Sequence, residues 1–186
     1  HYSLTVTDLT ANCTSIRDTE IVAPRLNAPQ IALVTIDSKF AKNLVVWLRD
    51  KDSTAVSHYT IMRDGVQIGK MPYRTTSIFH DTLPDLDPTS RSYTYTMRAF
   101  NACGDSSAQS QPVNSIYLQA HESKVWAGSI ELQWSNYNSG LINKYIVYRN
   151  GEKLTTLTGQ TMFTDRTPVK PYNYYVAVDL KDSILV

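Results

Sequence analysis

The side chains best suited to metal or proton-transfer chemistry are four histidines, His1, His58, His80 and His121, and their spacing assembles no site. None forms a His-x-x-x-His or Glu-x-x-His pair of the kind that places two ligands on one helix face. His80-Asp81 could supply two members of a hydrolytic triad with a remote serine, but the chain contains no Gly-x-Ser-x-Gly nucleophile elbow. Further along, the counterpart of that dipeptide is Thr164-Asp165, which lacks the imidazole. The residues therefore favour a polar strand end over an active site. The recurring aspartates suggest a turn in which the carboxylate accepts nearby backbone N–H groups.

Carboxylate pairs meet the same objection. Asp50/Asp52 and Asp85/Asp87 lack the glycine and the further oxygen ligands of a calcium loop. Glycosidase acids need a deep cleft, which a small β-domain does not provide. Solvated loop charge is the simpler account. Arg63 and Arg149 recur at one relative position, and either could read a phosphate or an acidic sugar. A strand-end arginine whose stem covers an aromatic neighbour accounts for their recurrence better. Tyr148 and Tyr175 fall out of phase with the inward tyrosines of their strands, and with Tyr137 they are the candidate ligand face. The competing reading is cross-strand pairing that stabilises the sheet. Arg-Gly-Asp and Trp-Ser-x-Trp-Ser do not occur. No catalytic, cofactor-binding or metal-ligating set is expected.

The elements that would position these residues are duplicated. Tyr59-Thr-Ile-Met-Arg-Asp-Gly65 returns as Tyr145-Ile-Val-Tyr-Arg-Asn-Gly151. Each copy follows an apolar strand carrying a tryptophan (Trp47, Trp134) and precedes a Phe-x-Asp element and a Tyr-x-Tyr strand. Repetition at this scale defines the unit of the fold. Apolar residues alternate with polar ones, so the period is that of strands. Tyr93, Tyr95, Met97 and Ala99 share one face, as do Tyr172, Tyr174, Val176 and Val178, and as do Ile130, Leu132 and Trp134. Asp64-Gly65 and Asn150-Gly151 supply the positive φ of two-residue hairpin turns. Trp47, Tyr59, Tyr93, Trp134, Tyr145 and Tyr172 are the expected structural core.

A length of 186 residues suits two such units, each able to bury a core without metal or dense disulfides. Twelve tyrosines raise the strand propensity. A formal net charge of +1, with acids and bases interspersed, predicts no footprint for nucleic acid or an anionic membrane. No stretch is long and apolar enough to span a bilayer, so no membrane insertion is expected. Residues 1–24 lie outside the repeat and read as the closing hairpin of a preceding β-repeat plus a linker. Residues 25–118 form the first unit, with Asn114–Ala120 as its last strand, and residues 119–186 form a second, shorter one. The absent Gly/Ser or Pro-rich spacer between them predicts a semi-rigid pair. A start on His1 within a strand-like run suggests a piece of a longer protein. Cys13 and Cys103 leave two readings open: a bridge in an exported parent, or two half-buried thiols.

The order Trp on the second strand, Tyr on the third, an Asp-Gly or Asn-Gly hairpin, then Leu86-Asp-Pro88 before Tyr93-Thr-Tyr95 resembles the fibronectin type III sandwich. That resemblance implies two tandem immunoglobulin-like antiparallel β-sandwiches and a tyrosine corner at Tyr93, whose phenol would bond back to the preceding loop. The second unit departs here, with Pro168-Val-Lys-Pro171 and no matching leucine. A narrower likeness runs through Ser92–Ser107, Ser115–Leu118 and Ile130–Tyr137, which is similar to the module pair of large Bacteroidetes gliding-motility-associated surface proteins exported by type IX secretion. It implies a non-catalytic spacer or adhesion segment, extracellular or on the cell surface. Its partners would be neighbouring domains of the parent chain and an extracellular protein or glycan. The alternative is a carbohydrate- or protein-binding accessory module of a secreted hydrolase.

Overall fold

The computed structural model describes residues 2–8, 13–19, 25–37, 41–49, 55–140 and 142–180, the first two strands by their backbone. His1, Asp50, Asp52 and the side chain of Cys13 lie outside the described residues. No helix occurs among the described residues, and every strand pair is antiparallel. β1 (Tyr2–Asp8) and β2 (Cys13–Thr19) form a separate two-stranded sheet, in register from Tyr2↔Thr19 to Asp8↔Cys13.

Seven strands follow: β3 (Gln30–Asp37), β4 (Lys42–Leu48), β5 (His58–Arg63), β6 (Val66–Pro72), β7 (Ile78–His80), β8 (Thr94–Phe100) and β9 (Val113–Asn114). They make two sheets, ordered β3-β4-β7 and β6-β5-β8-β9. The next six are β10 (Leu118–Glu122), β11 (Ile130–Trp134), β12 (Ile142–Arg149), β13 (Glu152–Leu157), β14 (Met162–Asp165) and β15 (Tyr174–Leu180). Their sheets, β10-β11-β14 and β13-β12-β15, repeat the first arrangement strand for strand without a counterpart of β9 among the described residues. Each set is an immunoglobulin-like antiparallel sandwich.

Alternation explains the packing. Val45 and Trp47 of β4, Ile61 of β5 and Tyr95, Met97 and Ala99 of β8 are buried, and so are Leu132 and Trp134 of β11 and Tyr145 and Val147 of β12. Side chains two apart on a strand share a face, so each strand presents one dry row to the opposite sheet. The central contact is reproduced in both copies. Trp47 and Tyr59 meet edge to face at 5.6 Å and 64°, and Trp134 and Tyr145 do so at 5.7 Å and 62°. Such pairs add about 0.5–1.5 kcal/mol to the area they bury.

Duplication extends to the irregularities. Asp64 and Gly65 have φ of 50° and 83°, Asn150 and Gly151 of 51° and 86°, the twin positive values of a type I′ hairpin. Just beyond each turn the register slips by a residue, between Ile61 and Met62 in one copy and between Val147 and Tyr148 in the other. The residues so displaced, Ile68 and Leu154, pack against the core.

The structure corrects two expectations. Asn114–Ala120 is not one strand: Val113–Asn114 ends the first sandwich, and a new strand pairing with β11 starts at Leu118. Tyr172 is not in the core, being 43% exposed. It occupies the position of Tyr93, which is buried, but β15 begins only at Tyr174. In the first copy the Tyr93 hydroxyl donates to Asp87 O at 3.2 Å and accepts from Asp87 N at 3.1 Å, beside buried Leu86. That is the expected tyrosine corner. Without a leucine to pack beneath it, Tyr172 lies outside, against Lys170.

Candidate functional site

The polar groups that the sequence places in both copies converge, and they form a clamp within each sandwich. Arg63 and Tyr95 face each other across β5 and β8, and Arg149 and Tyr174 do so across β12 and β15. The acidic partner comes from the other sheet: Asp81 directly follows β7, and Asp165 ends β14. Arg63 Nη1 donates to Asp81 Oδ1 and Oδ2 at 3.0 and 2.8 Å, and the Tyr95 hydroxyl donates to Oδ2 at 2.8 Å. Asn43 Nδ2 completes the cluster, donating to Tyr95 Oη at 2.9 Å. In the second sandwich Arg149 Nη1 and the Tyr174 hydroxyl donate to Asp165 Oδ2 at 2.7 and 2.8 Å. The other carboxylate oxygen accepts a backbone N–H two residues on, from Leu83 at 3.4 Å and from Thr167 at 3.0 Å. This is the aspartate turn that the recurrence predicts.

Burial decides what the clamp can do. Asp81 and Tyr95 are wholly inaccessible and Arg63 nearly so, leaving no room for a substrate. Burial drives the Tyr95 phenol far above its ordinary pKa, and Asp81 beside it adds to the effect. Burial also opposes the charge of Arg63, but its hydrogen bonds to Asp85 and Asp81 outweigh that and hold it more firmly protonated. Burial likewise works against the Asp165 carboxylate, yet the Tyr174 hydroxyl, the Thr167 N–H and Arg149 together keep it below its usual range. Tyr174 is pushed up to about 12 by burial and by that carboxylate. Each clamp is a closed charge pair tying two sheets together. The Arg63 guanidinium also lies 5.5 Å from the Tyr93 ring, as expected for an arginine stem against an aromatic.

The remaining candidates scatter. His80 pairs with Asp37 at 3.0 Å, His121 with Glu131 at 3.2 Å, and His58 stacks on Phe100 at 5.0 Å. Asp85 is an exposed partner of Arg63, and Asp87 accepts from both the N–H and the hydroxyl of Thr89. No group of three His, Cys, Asp or Glu that could hold a metal occurs among the described residues. Cys103 is a free, exposed thiol, whereas a half-buried one was expected if unbridged, and its proposed partner Cys13 lies outside the described side chains.

The candidate ligand face divides. Tyr148 and Tyr175 are directly opposite on β12 and β15 and stack at 4.5 Å and 10°, the cross-strand pairing that competed with a ligand role. Tyr137 does not join them. It is 2% exposed, and its hydroxyl accepts the backbone N–H of Val34, in the first sandwich, at 2.7 Å. Burial pushes this phenol up to about 12, although the Val34 N–H works the other way. Its own N–H donates to Tyr145 Oη at 2.8 Å, which ties it back to the second core. On the flank, Asn114 N donates to Asn138 Oδ1 at 3.0 Å and the Ser135 hydroxyl to Ser115 O at 3.0 Å. The buried apolar side chains of both sandwiches thus form one continuous cluster. Sequence reasoning missed this joint because Ser135-Asn-Tyr-Asn-Ser139 reads as polar loop, and what buries Tyr137 lies about a hundred residues upstream.

A second unforeseen device protects the outer edge of β8. Ser107, Ser110 and Ser115 each donate a backbone N–H, at 2.8 Å, to the carbonyls of Ala99, Met97 and Tyr93 respectively. Their hydroxyls accept the N–H of those same residues at 3.0, 2.9 and 2.9 Å. Serine oxygens thus replace the carbonyls of a regular partner strand, in a segment that Pro112 keeps from pairing continuously.

Comparison with solved structures finds a likeness to the central fibronectin-III array of RIM-binding protein, at 16% identity and a TM-score of 0.39, covering 86% of this chain. The match takes in 60% of that array's chain, so this chain spans less than two thirds of its length. No protein-family model and no curated protein matches the sequence.

Proposed function

We propose that the chain is a non-catalytic structural segment, a semi-rigid spacer with an adhesive role, of a large secreted or cell-surface bacterial protein. The observation that carries this reading is the Tyr137 joint. Tyr137, whose hydroxyl accepts from Val34 in one sandwich and whose backbone N–H donates to Tyr145 in the other, couples two domains that have no linker between them, with Asn114–Asn138 and Ser135–Ser115 beside it. Coupled sandwiches transmit position and force along the chain, which a spacer must do and a pair of freely jointed modules cannot. The clamps act in the same sense by pinning sheet to sheet within each domain. The extracellular setting, and the surface of Bacteroidetes cells in particular, are inferred from the sequence resemblance to gliding-motility-associated proteins.

Small-angle scattering of the native chain and of Tyr137→Ala tests the reading. The native chain should scatter as one elongated body with a single thermal transition. The variant should separate into two transitions and broaden its maximum dimension. Identical profiles for the two proteins would remove the joint as the basis for a spacer.

The stacked pair Tyr148 and Tyr175 favours a second reading, a carbohydrate- or protein-binding accessory module, because Tyr175 remains 45% exposed at its edge of the stack. Selective glycan-array binding that Tyr175→Ala abolishes would replace the spacer reading with this one.

A further inference from the structure

Glu122, Ile130 and Asp165 lie side by side on β10, β11 and β14, so the loops leaving these residues emerge at the same end of the second sandwich. One loop is Ser123-Lys-Val-Trp-Ala-Gly-Ser129 and the other Arg166-Thr-Pro-Val-Lys-Pro-Tyr-Asn173. They touch: the Arg166 guanidinium lies 4.3 Å from the centre of the Trp126 ring. The second loop is also bound to the β12–β13 hairpin, through Asn150 Nδ2 to Val169 O at 3.2 Å. This end carries four exposed large apolar side chains, Val125 at 76%, Val169 at 56%, Trp126 at 49% and Tyr172 at 43%. Between them stand Lys124, Arg166 and Lys170, and neither loop contains a carboxylate. Of the acids beside the loops, Asp165 is buried and spent on Arg149 and Tyr174, and Glu131 is engaged by Ser123 and His121, while Glu122 precedes the first loop and Glu152 follows the β12–β13 hairpin turn.

We propose that this end of the second sandwich is a docking surface for an anionic lipid bilayer. The loops would press valine, tryptophan and tyrosine into the headgroup layer while the three cations engage lipid phosphates. Exposed aliphatic tips favour this occupant over a sugar, for which they offer nothing to hydrogen-bond. Moreover, Arg166 covers one face of Trp126 and Lys170 lies 5.7 Å from the Tyr172 ring centre, so a pyranose would find each ring with a cation already against it. Amphipathic aromatics beside lysine and arginine are the side chains that settle at a bilayer interface, and juxtaposed cations add an attraction that salt weakens. The contact is peripheral, and no described helix is long and apolar enough to cross a membrane. It stands independently of the spacer reading.

The chain holds three tryptophans, of which Trp47 and Trp134 are buried, so Trp126 is the emitter that reports on this surface. Vesicles of phosphatidylcholine alone and of phosphatidylcholine with phosphatidylglycerol should be titrated with the chain at low and high salt. The expected result is co-sedimentation with the anionic vesicles only, lost at high salt, with a blue shift of emission and quenching by brominated lipid. Lys124→Glu with Arg166→Glu, and separately Val125→Ser, should each weaken partitioning by roughly tenfold or more with unchanged melting temperature. No partitioning of the native chain, equal partitioning onto both vesicles, or binding undiminished in folded variants would overturn the proposal. Binding to polyglutamate but not to vesicles would also overturn it, and would assign the surface to an acidic polypeptide.

Discussion

Arg63 and Asp81 are joined through a single guanidinium nitrogen that reaches both oxygens of a wholly buried carboxylate, at 3.0 and 2.8 Å. The arginine belongs to one sheet and the aspartate to the other, so the pair fastens the sandwich at one end. Arg149 and Asp165 join the two sheets of the second sandwich through one carboxylate oxygen, Oδ2, with the arginine more open to solvent.

Removing one partner of such a pair strands a charge where water cannot reach it. Arg63→Met should cost about 3–5 kcal/mol in urea unfolding of the first sandwich. Adding Asp81→Leu should restore much of that loss, because the stranded charge goes with it. A single-variant cost below about 1 kcal/mol would show that the pair does not hold the sheets together.

The second clamp predicts a stability window in pH. Asp165 has its pKa lowered by folding, so its contribution is full above the unfolded value, about 4, and is lost as pH falls through the folded one. Tyr174 has its pKa raised to about 12, so its contribution is full below the unfolded value and is lost as pH rises toward 12. The second sandwich should therefore soften at both extremes. Asp165→Asn should flatten the acid limb and Tyr174→Phe the alkaline limb, as followed by circular dichroism against pH.

Trp134→Ala should destabilise the second sandwich by about 3–5 kcal/mol, since it empties the centre of the smaller core and leaves Tyr145 without its edge-to-face partner. An unchanged melting curve would refute the core assignment.

The serine clamps make a prediction about small, polar residues. Ser107→Ala and Ser110→Ala each leave a buried N–H, of Ala99 and Met97, without an acceptor, and should cost about 1–3 kcal/mol apiece. Amide hydrogen exchange at Ala99 and Met97 should accelerate in step. Unchanged exchange would mean that other acceptors serve those groups.

What the sequence determined by itself was everything that depends on neighbours along the chain. The two-residue period marked the strand faces, though it ran Asn114–Ala120 together as one strand, and the Asp-Gly and Asn-Gly turns set the hairpins, because each is a local backbone preference or a facing rule. The corner at Tyr93 came from the resemblance of Leu86-Asp-Pro88 and Tyr93 to the type III pattern. Recurrence of Arg63 and Arg149, and of Asp81 and Asp165, marked residues with a structural purpose without showing that they meet. Only tertiary structure decided what rests on contacts distant in sequence. Tyr137 looks like loop until Val34 is placed against it, and Tyr172 shares the phase of Tyr174 but falls outside the strand and into solvent. Lys124, Arg166 and Lys170 are lost in a balanced charge count until the fold sets their loops side by side. Burial and charge density are properties of assembled surfaces, so no window along the chain contains them.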